Sequence, residues 1–340
     1  MTQYKRIAID TSKAVFTLHG IDQQERPVLR TNLRRAQMIL FFKKLPLTVI
    51  ALEACGASHY WAHELTALGH TVHLIPPQYV KPYVKRGKND RNDAGAICET
   101  GARPGIHPVP IKTVGQQAHG MVLKVRDTLI GQRTALSNTV RGLAAEFGIT
   151  AAKGLGRIAE LLAAVAADPA LPAEAKDSFI ILGEQLGHLD EQIKMLEKKV
   201  AAAHKANPLS TRLATIPGLG AIGSLTVATR VNAADFASGR HFSAWMGIVP
   251  KEHSTGGRQR MGGISRAGDE RLRQLFILGA TAVIRAVTRP GGSKLASPWL
   301  LKLLARKPRK LAAVALANKM ARVAWAMMKS GEVWRRPAAA

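Results

Sequence analysis

Residues 5–110 constrain the architecture more tightly than any other stretch, because strand-like and helix-like patterns alternate there in a particular order. Lys5–Asp10 (KRIAID), Ala14–Gly20 (AVFTLHG) and Pro27–Thr31 (PVLRT) are short β-rich runs separated by turn residues such as Asp22-Gln23-Gln24. A helix-like stretch, Asn32–Lys44, comes next. A buried-type strand at Leu47–Leu52, a helix at Ser58–Leu68, a strand at Thr71–Ile75 and a helix at Asp90–Gly101 complete the segment. Three strands able to form a meander, then strand–helix units, suit an RNase H-like α/β domain. A doubly wound nucleotide-binding fold would need a glycine-rich loop after the first strand, whereas Ile9 is followed by Asp10-Thr11-Ser12-Lys13.

Residues 115–205 read as helical, broken near Gly148–Gly156 and Pro169–Pro172. Phe179, Leu182, Leu186, Leu189, Ile193, Leu196, Val200 and Ala203 keep strict 3,4 spacing, the two-per-heptad seam of a coiled coil. Val122, Val125, Leu129, Leu136, Val140, Leu143 and Phe147 form a weaker stripe upstream. Spacing leaves open whether the partner helix belongs to the same chain, as a hairpin, or to a second copy, as a dimerisation coil. Further on, Ile216-Pro217-Gly218-Leu219-Gly220 leads into an apolar helix, Ala221–Thr229. That is a helix-hairpin-helix-like pattern in which Gly218 and Gly220 would bring backbone N–H groups to a phosphate. A Gly/Ser/Arg-rich stretch, Gly247–Gly268, precedes helices at Asp269–Val287 and Lys310–Lys329. The expected organisation is α/β plus all-α: a catalytic domain at 1–112, coiled-coil helices at 113–206 and a mainly helical domain at 207–340.

Charge identifies the class of partner. The chain carries 49 Lys+Arg against 23 Asp+Glu, a net +26. From Arg271 onward there are fifteen basic residues and one acid, Glu332. A second cluster, Lys81, Lys85, Arg86, Lys88 and Arg91, surrounds Asp90 and Asp93. A surplus distributed in this way is suited to phosphate backbones. Two cysteines, Cys55 and Cys98, make no disulfide framework, and no Cys/His cluster has zinc spacing. His59 and His63 are four apart but lack a third ligand. The N-terminus lacks a signal-peptide core, and the late apolar runs Leu275–Ile284 and Leu311–Met328 are too short or are broken by Asn318, Lys319 and Arg322. A cytoplasmic, nucleoid-associated protein with no membrane partner is expected.

Two constellations carry chemistry. Asp10 ends the first strand and Glu53 follows the fourth, so both stand at strand ends, while Asp90 and Asp93 share one face if their segment is helical. Each acid alone could be a cap or turn residue. Together at one sheet edge they would repel unless a cation neutralised them, which is the logic of a two-Mg²⁺ site for phosphoryl transfer. Ser254 lies in a glycine-flanked basic loop in which Arg258, Arg260, Arg266, Arg271 and Arg273 can bind phosphate oxygens. A serine needs a base or a metal to attack phosphorus. His253 is adjacent, but neighbouring side chains diverge.

These residues carry a family resemblance. Asp10 after IAI, Glu53 in ALEACG, the block VKRGKNDRNDAGAICE with RPGIHPVPIK, and RDTLIGQRTALSNTVRGLAAEFGI resemble the DEDD transposases of the "IS one-ten" insertion-sequence family. ATIPGLGAIGSLTVAT, FSAWMGIVPKEHSTGG and GGISRAGDERLR resemble that family's C-terminal transposase domain, with detail closest to its "eleven-eleven" subgroup. The resemblance implies a RuvC-like N-terminal domain whose DEDD quartet is Asp10, Glu53, Asp90 and Asp93, and a nucleophilic serine at Ser254. It also implies an element-encoded non-coding guide RNA that pairs with donor and target DNA. Homo-oligomers, dimer to tetramer, would place the RuvC-like domain of one protomer with the serine domain of another. Thr255 stands where many relatives have a second serine, and Gly95 replaces an acid outside the quartet.

The leading expectation is thus an RNA-guided, Mg²⁺-dependent recombinase that works through a phosphoserine. Its rivals are a structure-selective nuclease of the Holliday-resolvase type, in which water attacks, and a non-catalytic nucleic-acid organiser.

Overall fold

Strands β1 (Arg6–Asp10), β2 (Val15–Ile21), β3 (Pro27–Arg34), β4 (Val49–Glu53) and β5 (Thr71–Ile75) form one sheet in the computed structural model. The structure describes residues 3–85, 89–291 and 296–335. The sheet order is β3-β2-β1-β4-β5, with β1–β3 antiparallel neighbours and β1, β4 and β5 parallel. Alternation along the strands separates two apolar layers. Ile7, Ile9, Ile50 and Leu52 face α1 (Met38–Lys43) and α2 (Ser58–Ala67), where Phe42, Trp61 and Leu65 are buried with them. Ala8 and Ala51 face the other way, onto α3 (Pro77–Val80) and α4 (Asp90–Thr100), through Val80, Ala96 and Ile97. The small alanines allow α4 to lie close to the sheet. Just past its end, a Cβ on Gly101 would sit 3.2 Å from that of Ala51.

The chain divides into two compact units, Met1–Thr113 and Val114–Ala340. The second begins with α5 (Val114–Glu146), α6 (Ile158–Ala167) and α7 (Ala173–Ala206). Arg126 pairs with Glu197 at 2.7 Å and Arg133 with Asp190 at 2.6 Å. Seven residues forward on α5 thus match seven back on α7, so the two helices run antiparallel. Of the two arrangements the spacing left open, this structure contains the hairpin within one chain. Phe179, Leu186, Leu189, Ile193, Leu196 and Val200 of the seam are buried.

Beyond it lie α8 (Pro208–Leu213), α9 (Ala221–Arg230), α10 (Gly239–Trp245), a two-stranded hairpin of β6 (Pro250–Glu252) and β7 (Met261–Ile264), α11 (Glu270–Val287), α12 (Pro298–Arg306) and α13 (Arg309–Ser330). Their core includes Ile216, Leu219, Phe242, Met246, Phe276 and Met320. The Pro217–Gly220 loop joins α8 to α9 and presses onto α11. Gly218 has φ +89°, and a Cβ there would meet the Gly279 carbonyl oxygen at 2.6 Å, so both glycines serve a backbone-to-backbone contact.

Three expectations need correction. Asn32–Lys44 is not one helix: Thr31, Asn32, Leu33 and Arg34 pair with β2, and the α-helix begins at Met38. Glu53 is the last residue of β4 rather than the residue after it. The stretch from Gly247 to Gly268 is not simply a loop, since it contains the β6–β7 hairpin. No helix among the described residues is long and apolar enough to cross a membrane.

Candidate active site: a carboxylate cluster and a serine hairpin

Strand parity determines where the first two acids point. Asp10 has the parity of Ala8, and Glu53 that of Ala51, so both belong to the α4 side of the sheet. They stand one step beyond the Ile9–Leu52 pair, at the ends of adjacent parallel strands. Asn89 caps α4, its side-chain oxygen accepting from the Asn92 N–H at 2.9 Å, so Asp90 is not the cap but the first residue of the helix. Asp90 and Asp93 share the first turn, where the helix dipole favours negative charge.

Carboxylate oxygens of Asp10, Asp90 and Asp93 all lie within 4.8 Å of one another. Glu53 is outside that group but close enough to respond to it. Burial, then Asp93, raises its carboxyl above the ordinary range. Burial, followed by Asp93, Asp90 and Glu53, pushes Asp10 up to about 6. Desolvated like charges of this kind call for a cation, and the donor set, oxygen alone, matches a hard ion such as Mg²⁺. The residues therefore fit the expected metal. Lys85 and Arg91 are exposed nearby in sequence, whereas Arg86 and Lys88 lie outside the described residues.

The serine sits on a different device. Gly256 and Gly257 have φ +55° and +73°, and the Thr255 and Arg258 backbones exchange hydrogen bonds of 3.0 and 3.3 Å. Positive φ at both central positions is the type I′ signature of a tight hairpin. His253 N–H donates to the Arg260 carbonyl at 2.8 Å, which continues the ladder. Side chains alternate along it, so Glu252 and Ser254 share a face while His253 takes the other. The Ser254 hydroxyl donates to Glu252 Oε1 at 2.6 Å and accepts the Arg260 N–H at 3.2 Å. Glu252 was not apparent from the sequence, although Gly256-Gly257 between extended residues signals a hairpin and two-residue spacing then pairs 252 with 254.

The hairpin's base is clamped. Cβ atoms at Gly247 and Gly268 would overlap the backbones of Ala267 and Trp245, and the Arg273 guanidinium donates to the carbonyls of Met246 and Ala267 at 3.1 and 2.8 Å. Arg271 pairs with Asp127 at 2.6 Å. Of the five arginines expected at phosphate, Arg271 and Arg273 are thus engaged inside their own unit, whereas Arg258, Arg260 and Arg266 are exposed. Gly218 and Gly220 are exposed in the α8–α9 loop.

Comparison with known proteins places the chain in a family. Residues 210–295 match the model of the transposase IS116/IS110/IS902 family. A putative transposase, y4pF/y4sB, of Sinorhizobium fredii is 53% identical over 98% of this chain and 86% of its own length. A probable family 20 transposase of Pseudomonas aeruginosa is 46% identical, covering 98% of both chains. The transposase of insertion sequence element IS1111A of Coxiella burnetii is 39% identical over 98% of this chain and 92% of its own. With relatives this similar along nearly its whole length, the chain belongs to the IS116/IS110/IS902 family of insertion-sequence transposases.

Proposed function

We propose that the chain cuts and rejoins DNA through a phosphoserine at Ser254, guided by an element-encoded RNA and dependent on Mg²⁺ held by Asp10, Glu53, Asp90 and Asp93. The observation that carries this reading is the convergence of three carboxylates within 4.8 Å where the central strand β1 ends and α4 begins. The order β3-β2-β1-β4-β5, with the acids at the ends of β1 and β4, supports an RNase H/RuvC-like identity for the first unit. The antiparallel ion pairs of α5 and α7 support a coiled-coil reading of the hairpin.

Mg²⁺, when bound by these carboxylates, would draw charge from the non-bridging oxygens of the scissile phosphate. The chain's own residues supply the rest. Ser254 Oγ forms a bond to phosphorus, its proton passes to Glu252, and the bond from phosphorus to a deoxyribose oxygen breaks. That oxygen takes a proton from water. The serine ester conserves the phosphodiester's energy, so a deoxyribose hydroxyl can later attack it, restoring Ser254 and joining strands without ATP. The Arg260 N–H fixes the hydroxyl so that its hydrogen is directed at Glu252. Arg258, Arg260 and Arg266 hold phosphate oxygens, as do Lys85 and Arg91. Homo-oligomers, dimer to tetramer, bring the carboxylates of one protomer and the serine of another to one phosphate.

Replacing Ser254 with alanine tests the proposal. The protein should lose every SDS-stable adduct with plasmid DNA carrying the element while still retaining co-purifying RNA. Cleavage to free ends in the variant would instead favour attack by water.

A further inference from the structure

We propose that a second nucleic-acid site lies between α10, α12 and α13 and takes an unpaired stretch of polynucleotide. It is independent of Ser254 and of the carboxylates. A groove of 760 Å³ is lined there by Arg240, Trp299, Asn318, Lys319, Arg322 and Trp325. Positions 315, 318, 319, 322 and 326 recur at helical spacing, so the floor is one face of α13, and the alanines at 315 and 326 give it depth.

The charge is one-sided. Among the described residues that line the groove, three are cationic and none is acidic. Arg126, Arg133, Arg230 and Arg271 elsewhere in the same unit are all ion-paired with carboxylates. Arg240, Lys319 and Arg322 make no ion pair among the described residues. Three uncompensated cations lining one groove are complementary to phosphates.

The aromatic groups narrow the ligand further. The Trp325 indole N–H donates to the Ala233 carbonyl at 3.2 Å, which fixes that ring, and Asn318 is held by the Ile248 carbonyl at 3.4 Å. Trp299 is 38% exposed, with the Lys319 ammonium 4.4 Å from its ring centre. A base arriving on that ring displaces the ammonium, which then meets the phosphate of the same nucleotide. In a duplex the base faces are hidden in the stack, so only an unpaired base can use Trp299. RNA and DNA share this chemistry, and the probes below distinguish them.

The experiment measures fluorescence anisotropy of the full-length protein with labelled oligo-dT, oligo-rU and a duplex, each about 20 nucleotides long, across a salt series. Trp299→Ala should weaken single-strand binding by about 10-fold or more and leave the duplex unchanged, while Trp299→Phe stays within about 3-fold of wild type. Arg322→Gln should reduce the salt slope on single strands by about 0.7. A loss confined to oligo-rU assigns the groove to RNA, one confined to oligo-dT assigns it to DNA, and an equal loss assigns it to either strand. If Trp299→Ala melts early, the surface pair Lys319→Gln with Arg322→Gln replaces it and should show the same selective loss. Wild-type binding of both single strands by a folded variant, or an equal loss on the duplex, would overturn the proposal.

Discussion

The Ser254 hydroxyl donates a 2.6 Å hydrogen bond to Glu252 Oε1. The two residues meet because they lie two apart on one strand of a hairpin whose turn, Gly256-Gly257, requires positive φ at both positions. If Ser254 is the nucleophile, the carboxylate already at its proton poises it for transfer, whereas His253 occupies the opposite face.

If Glu252 receives the serine proton, Glu252→Gln should slow adduct formation by about 10²–10⁴-fold. The residual rate should rise with pH, because hydroxide must then take the proton. Glu252→Asp should recover most of the activity. Rates of adduct formation across pH check this; a glutamine variant with wild-type rate and profile would remove Glu252 while leaving Ser254 in place.

Asp10 predicts a stability signature. Its carboxyl, raised to about 6 from an ordinary value of 3.8, holds a proton more tightly in the folded chain than in the unfolded one. That contribution is fully present below about pH 4 and is lost as pH rises through 6, softened by solvent screening. Asp10→Asn should therefore raise the metal-free melting temperature near neutral pH by about 2 °C or more. It should also flatten the dependence between those pH values and remove the stabilisation by added Mg²⁺. Thermal melts with and without the ion test all three outcomes.

The contact of Gly218 with Gly279 tolerates no side chain. A Cβ at Gly279 would lie 2.1 Å from the Gly218 carbonyl oxygen, on backbone that cannot move aside cheaply. Gly279→Val should cost about 3 kcal/mol or more, visible as a lower denaturant midpoint, whereas Leu278→Ala at the exposed neighbouring position should cost less than about 0.5 kcal/mol.

Much of the first unit could be read from the sequence because its strands are short and locally patterned. β5 runs over Thr71–Ile75, the bounds expected from the sequence. The extension of β3 could not be seen this way: Asn32, Leu33 and Arg34 look helix-compatible alone, and pairing with Val15–Thr17 overrides that preference. Asp10, Glu53, Asp90 and Asp93 stood out because strand ends and helical spacing are local facts. The roles of Arg271 and Arg273 did not, since their partners Asp127, Met246 and Ala267 are defined by packing. The Trp299 groove left no sequence signal either, because Arg240 and Lys319 lie on helices far apart in the chain.

If the carboxylates of one protomer serve the serine of another, mixing two inactive chains should restore activity. Co-expression of Asp10→Asn with Ser254→Ala should recover strand exchange to a measurable fraction of wild type, scored by excision of a marked element. Absence of recovery, with both chains shown to co-assemble, would mean that each chain acts on its phosphate alone.

The most direct test of the account is to find the covalent bond. Trypsin should release Glu252–Arg258, EHSTGGR, which contains both Ser254 and Thr255. After nuclease trimming of trapped adducts, fragmentation of that peptide by mass spectrometry should place a nucleotide phosphate on Ser254 alone. A modification on Thr255, or unmodified peptide from a preparation that has cut DNA, would contradict the serine mechanism.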